Sequence, residues 1–166
     1  MWNSQGIIML LEGIRDTLYM TLASTLFGYI IGLPMGIVLT VTDKGGIRPN
    51  AAVYKVLDVI SNLLRSIPFI ILLIVLIPFT RFVVGRSYGS TATIVPLTIA
   101  AAPYIARMVE SSLKEVDAGV IEAARSMGAS DFQIVTKVML VEARTSLIVG
   151  ATISLGTILG YSAMAG

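Results

Sequence analysis

Cysteine and histidine are both absent from the 166 residues. Their absence excludes disulfides, thiol chemistry and a typical zinc site. It also removes the side chain used most often as a general base. Charge is scarce as well. Only 13% of residues are Asp, Glu, Lys or Arg, where a soluble domain carries about 25%. The net charge is +2 and its cations are dispersed, so there is no basic footprint for nucleic acid. The chain has no G-x-x-x-x-G-K-[ST] and therefore no phosphate-binding loop of that type. The N-terminus carries neither the basic segment nor the cleavage site of a signal peptide.

What replaces charge is apolar surface: 55% of residues are hydrophobic, and the mean hydropathy is +0.87. This composition points to an all-α, polytopic membrane protein forming a single transmembrane domain over residues 1–166. Thr17–Thr42 is uncharged and lies between Asp16 and Asp43. Crossing the roughly 30 Å of hydrocarbon takes about 20 apolar residues, so residues 17–42 make a first span. Residues 87–106 are uncharged between Arg86 and Arg107, and residues 145–166 carry no charge either. These make two further spans. Ser66–Thr80, SIPFIILLIVLIPFT, is as apolar but short, reaching about 22 Å as a helix. A span of about 59–80 remedies this and places Arg65 inside it. There Arg65 either snorkels to the headgroups or faces protein or a watery pathway.

Basic residues set the orientation. Lys44, Arg48, Lys55, Arg65, Arg107, Lys114, Arg125, Lys137 and Arg144 fall on one side, and Arg15, Arg81 and Arg86 on the other. By the positive-inside rule the first group is cytoplasmic. The N-terminus is then outside and the loop at about 107–144 inside. The last span closes on the apolar GYSAMAG with no charge, and a further C-terminal span is expected to be missing.

Small residues punctuate the spans. Gly28, Gly32 and Gly36 recur every four residues, and Gly156 and Gly160 form a second G-x-x-x-G. Such spacing lets helix backbones approach closely; a hinge or pathway lining is the alternative. Pro34, Pro96 and Pro103 are expected to bend their helices. Breaks of this kind suit a transporter better than an anchor. No span carries a central titratable relay apart from Arg65, which argues against an ion-driven carrier and for an energy source outside the chain.

The polar stretch EAARSMGASDFQ, residues 122–133, stands out between apolar runs. Val116–Met127 reads as a short helix with Val120, Ile121, Ala124 and Met127 on one face. Glu122 and Arg125 are spaced to pair on it. Gly128 sits where a left-handed glycine ends a helix. Ser130 and Gln133 form a capping box for the next helix, whose apolar side is Ile134, Val135 and Val138. From composition alone the segment is equally an amphipathic connector lying on the membrane.

Glu122-Ala123-Ala124, three residues, then Gly128 resembles the EAA motif of the membrane subunits of bacterial ABC importers. In that family the motif continues, after nine residues, as I-x-L-P. Here the corresponding residues are Val138, Met139, Leu140 and Val141, so Val replaces Pro and changes the end of the second helix. GIRDTLYMTLAS is similar to the family's first-span opening. Arg65 and Pro68 match the Arg-x-x-Pro of amino-acid importers. AAPYIARMVESSL and GYSAMAG look most like the methionine-importer permeases.

The resemblance implies a permease subunit that binds no cofactor and is not an enzyme, in the bacterial cytoplasmic membrane, with five spans in full-length members. It implies a homodimer, two cytoplasmic ATPase subunits using ATP and Mg, and an extracytoplasmic substrate-binding protein. The substrate would be an amino acid, methionine by the nearest branch. Glu122, Ala123, Ala124, Arg125 and Gly128 would form the ATPase-coupling helix and its turn. Tyr161, Ser162 and Met164 are the proposed pathway or gate residues, against a reading as helix packing. The alternatives are a permease for another small polar solute, or a non-transporting scaffold that docks a cytoplasmic partner.

Overall fold

The computed structural model describes residues 4–165, and Met1–Asn3 and Gly166 of the expected last span lie outside the described residues. All regular structure among the described residues is helical. Helix α1, Ser4–Thr42, has 39 residues, about 58 Å at 1.5 Å each and nearly twice the hydrocarbon thickness. It starts well before the expected residue 17 and takes in Glu12, Arg15 and Asp16. Pro34 lies inside it without ending it.

The buried face of α1 is Met20, Thr21, Ser24, Gly28, Gly32, Gly36, Leu39 and Thr40. Its large side chains, such as Leu22, Leu26 and Ile30, are exposed. This inverts the soluble pattern: small residues face the protein and bulky apolar ones face outward, where lipid accommodates them.

Helix α5, Ser90–Lys114, is the centre of the bundle. Fifteen of its 25 residues are buried, and it packs against α1, α2 and α9. Successive glycines of α1 meet successive turns of α5. A Cβ on Gly32 would lie 2.7 Å from the Ala102 carbonyl oxygen, and one on Gly36 would lie 2.5 Å from that of Ala106. Both series ascend together, so the two helices run parallel with backbones in contact. Pro96 and Pro103 fall within α5 and do not interrupt it. The helix also continues eight residues past the expected end at 106.

The second span departs most from expectation. In place of one helix over 59–80 there are three: α2 (Ala51–Ser66), α3 (Phe69–Val75) and α4 (Ile77–Val84). Between α2 and α3 the axis turns by 102°. Pro68 is the cause, because its ring disfavours helical geometry at the preceding residue; Ile67 is extended at φ −84°, ψ 123°. A second break at Leu76 precedes Pro78, which is tolerated in the first turn of α4.

Short helices α6 (Ala118–Ser126), α7 (Asp131–Gln133) and α8 (Leu140–Glu142), with a π-helical stretch Ile134–Met139, join α5 to α9, Arg144–Ala165. Helix α9 buries Gly150, Ser154, Ile158 and Ser162, one small or slender residue per turn. Gly156 and Gly160 lie off that stripe and would meet nothing within 4 Å. Their G-x-x-x-G therefore packs against no other helix among the described residues.

The seam predicts an asymmetry among glycines. Gly36→Ala should lower stability in detergent by about 1–3 kcal/mol through overpacking against backbone. Gly13→Ala, with nothing within 4 Å, should not. Thermal unfolding of the two variants side by side checks this, and equal midpoints would refute the close approach.

Candidate functional site

The polar stretch is built by local capping. Asp117 starts α6, its carboxylate accepting from the Gly119 N–H at 2.7 Å. That cap trims two residues from the expected start at Val116. At the other end Gly128 adopts φ +83°. The Ala129 N–H donates to the Ala124 carbonyl at 3.1 Å and the Gly128 N–H to that of Arg125 at 3.0 Å, the paired bonds of a Schellman turn. A Cβ on Gly128 would meet nothing within 4 Å, so the demand for glycine is one of backbone conformation and not of space.

Ser130 and Gln133 form the expected capping box, with Oγ accepting from the Gln133 N–H at 3.3 Å and Oε1 from the Ser130 N–H at 2.9 Å. The helix they start does not end near Val141. It passes through the π-helical stretch and α8, turns at Ala143 (φ −79°, ψ 1°), and becomes α9. Ile134, Val135 and Met139 anchor it in the main apolar core beside Ile105, Val109 and Leu113.

The expected apolar face of α6 is not buried as a face. Ala124 alone is buried; Val120 is exposed, and Met127 is 83% exposed. Ile121 is half-buried against the main core, and the inner side of α6 meets an opening. A cavity of about 460 Å³ lies there, lined by Thr40, Asp43, Lys114, Ile121, Glu122 and Arg125 among others. The Glu122–Arg125 pair is also not made. Arg125 reaches away to donate to the Ile47 carbonyl at 3.0 Å and lies 3.9 Å from Asp131. Glu122, at the edge of that cavity, and Ala123 are left exposed, together with Met127 and a 76% exposed Phe132. Phe132 was missed in the sequence, although an aromatic in a charged segment is a signal for a protein contact.

Behind α6 lies an ionic cluster that the division into spans and loops concealed. Glu110 of α5, its side chain 6% exposed, accepts from Tyr54 Oη at 3.2 Å, Arg107 at 2.7 Å and Lys114 Nζ at 2.8 Å. Arg107 also pairs with Asp58 of α2 and donates to Asn62 Oδ1 at 3.2 Å. Lys114 reaches Asp43, just beyond α1, at 2.8 Å. Hydrogen bonds from the Lys114 side chain and the Lys44 backbone hold the Asp43 carboxyl below its ordinary pKa. The stabilisation from Asp43 is therefore present above the ordinary carboxylate range and is lost as pH falls below it. The i, i+3 and i, i+4 spacing of Arg107, Glu110 and Lys114 was the available clue. It went unused because α5 was expected to end at 106.

The proposed pathway residues do not converge. Tyr161 stacks on Phe69 of α3 at 5.0 Å between ring centroids and 8° between planes. Ser162 is buried, its hydroxyl donating to the Leu159 carbonyl at 2.8 Å and accepting from Thr21 at 3.4 Å. Met164 is exposed. Arg65 is exposed in the last turn of α2, just before the bend, and makes no ion pair among the described residues.

With this geometry described, the chain compares closely with known proteins. Residues 17–166 match the model of a family described as the inner membrane component of binding-protein-dependent transport systems. The D-methionine transport system permease protein MetI of Salmonella typhimurium is 55% identical over 158 residues, which is 95% of this chain and 73% of that protein. A structure described as an inward-facing conformation of the MetNI methionine ABC transporter superposes with a TM-score of 0.96 at 53% identity. It covers 98% of this chain and 75% of that one. An amino acid ABC transporter with histidines shares the fold, with a TM-score of 0.63 at 22% identity over 95% of this chain and 74% of that one.

The Schellman turn makes Gly128 testable apart from any partner. Gly128→Val places a β-branched residue in the left-handed region, at a cost of roughly 1–2 kcal/mol. Amide hydrogen exchange should accelerate across 124–133 while α1 and α5 stay protected. Unchanged exchange in that segment would show that the turn does not need its glycine.

Proposed function

The chain belongs to the family of binding-protein-dependent transport system inner membrane components, and on that premise we propose how it works as the membrane-spanning permease subunit of an ATP-driven importer. Its substrate is methionine, in keeping with the permease at 55% identity and the methionine transporter at 53%. The observation that carries the mechanism is the capped two-helix knob. Glu122, Ala123, Met127 and Phe132 stand on a rigid turn and touch nothing in this chain that buries them. Exposed Met and Phe beside charges suit a protein partner better than lipid, because lipid contact would strand the charges.

We assign that surface to a separate cytoplasmic ATPase subunit. Met127 and Phe132 would enter an apolar groove, small Ala123 would let the partner approach, and Glu122 would meet a basic group. Two permeases and two ATPases would make the transporter. The ATPases hold ATP and Mg, and a binding protein outside the cell delivers the substrate. The chain then lies in the bacterial cytoplasmic membrane with its N-terminus outside and α6 inside, as the distribution of basic residues supports. Closure of the ATPase pair on ATP draws the knobs together, and α6 carries that displacement into α5 through the three residues Glu115–Asp117. Arg125, tied to the Ile47 carbonyl, acts inside the subunit and steadies α6 against the α1–α2 loop.

Two measurements test these assignments. Met127→Asp and Phe132→Asp should each weaken co-purification of the ATPase by about thirtyfold, the scale of a contact worth about 2 kcal/mol, while the permease still inserts. Full retention of the ATPase would remove the knob from the interface. Tyr161→Cys and Met164→Cys, in a chain with no native cysteine, should react with a polar thiol reagent to an extent that changes with bound nucleotide. Failure to react in every nucleotide state would take both residues out of the pathway.

A further inference from the structure

Helix α2 is held in place in an unusual way. Ser61 is its only buried residue, and Val56, Val59, Ile60 and Leu63 face outward. Apolar packing therefore does little to fix it against α5. Its polar side does the holding: Tyr54 donates to Glu110, while Asp58 and Asn62 receive Arg107. All of these contacts converge on the last two turns of α5, five to eight residues before the connector to α6 begins at Glu115. Lys114 extends the same cluster to Asp43 at the end of α1.

We propose that the cluster of Asp58, Arg107, Glu110 and Lys114 is the positioning element that makes α2 follow the coupling helix. This rests on the reading of α6 as the point where the ATPase acts. When α6 shifts, it moves the end of α5 first. An apolar interface would resist sliding uniformly, but a few directional ionic bonds oblige α2 to move with the charges that hold it. Two residues after Arg65 the chain bends by 102° into α3, where Phe69 stacks on Tyr161 of α9. The cluster thus joins the knob to the bend and to the stack beyond it. The low exposure of Glu110 keeps water from competing for its three donors. Arg107, shared between Asp58 and Glu110, is the residue through which the coupling passes. These are positioning residues; none of them touches the substrate in this reading.

The test uses the complete transporter, with permease and ATPase subunits together in lipid vesicles, and reads ATP hydrolysis and methionine uptake separately. Asp58→Asn and Arg107→Gln should lower uptake per ATP hydrolysed by about tenfold, a typical coupling between sites. Assembly and hydrolysis should stay within about twofold of the parent, on the same scale. Asp58→Glu, which keeps the charge, should restore the ratio. An unchanged ratio would overturn the proposal, and so would uptake and hydrolysis falling together with the yield of complex, because that is the signature of a merely structural bond.

A second readout does not depend on transport. Spin labels on Val59→Cys of α2 and Ser111→Cys of α5, both exposed positions, should give one narrow distance that broadens when Asp58→Asn is added. If the parent complex shows no ATP-driven uptake but the distance still broadens, the importer reading fails and the clasp stands. If the distance does not change, the clasp fails whatever the transport result.

Discussion

The fold depends on the close approach of α1 and α5. Lipid offers two apolar helices no hydrophobic reason to associate, since hydrocarbon solvates a leucine as well as another helix does. What remains is short-range packing, and that requires surfaces without protruding side chains. Gly28, Gly32 and Gly36 provide one, and the carbonyls and small residues of α5 at Ala101, Ala102 and Ala106 lie against it. Once that seam sets α5 in the centre, α9 is placed by its own slender stripe, and the C-terminal end of α5 is aimed at α2 and α6.

Two kinds of attachment follow. Helices α1, α5 and α9 meet through backbone contact and a shared core that includes Ala101, Ile105, Val109 and Ile158. Such contacts tolerate little displacement. Helix α2 and the knob are held by polar groups: Arg107 on Asp58, Tyr54 on Glu110, and Arg125 on the Ile47 carbonyl. Those bonds are directional and few, and a cavity lies beside them. A rigid core with polar clasps at one end suits a subunit driven from outside by a partner. The titration of Asp43 fits the same arrangement, because the cation that lowers its pKa also ties the end of α1 to α5.

Some of this was legible in the residues. The three clean spans followed from uncharged runs, and Gly128 with Ser130 and Gln133 followed from capping rules, because each depends on interactions within a few residues. The glycine spacing in α1 announced a close helix contact, though not which helix would answer it. Other elements were misread for identifiable reasons. The first charge after the third uncharged run, Arg107, marks no helix end: α5 continues to Lys114 and carries Arg107, Glu110 and Lys114 within it. Apolar content marks residues 59–80 as one span and is blind to the break that Pro68 makes within it.

By itself the sequence determined an all-helical membrane protein, the position of the Gly128 turn, and the family to which it belongs. These depend on composition, local capping and motif spacing, all of which act over short stretches of chain. Only the tertiary structure decided which glycines pack and which do not, that Arg125 leaves Glu122 free, and that α2 is held by ions. Each of those outcomes rests on partners tens of residues away, such as Ala102 for Gly32, Ile47 for Arg125 and Arg107 for Asp58. No local pattern specifies such a partner, because it is chosen by how close the backbones come and which charges that approach leaves unpaired.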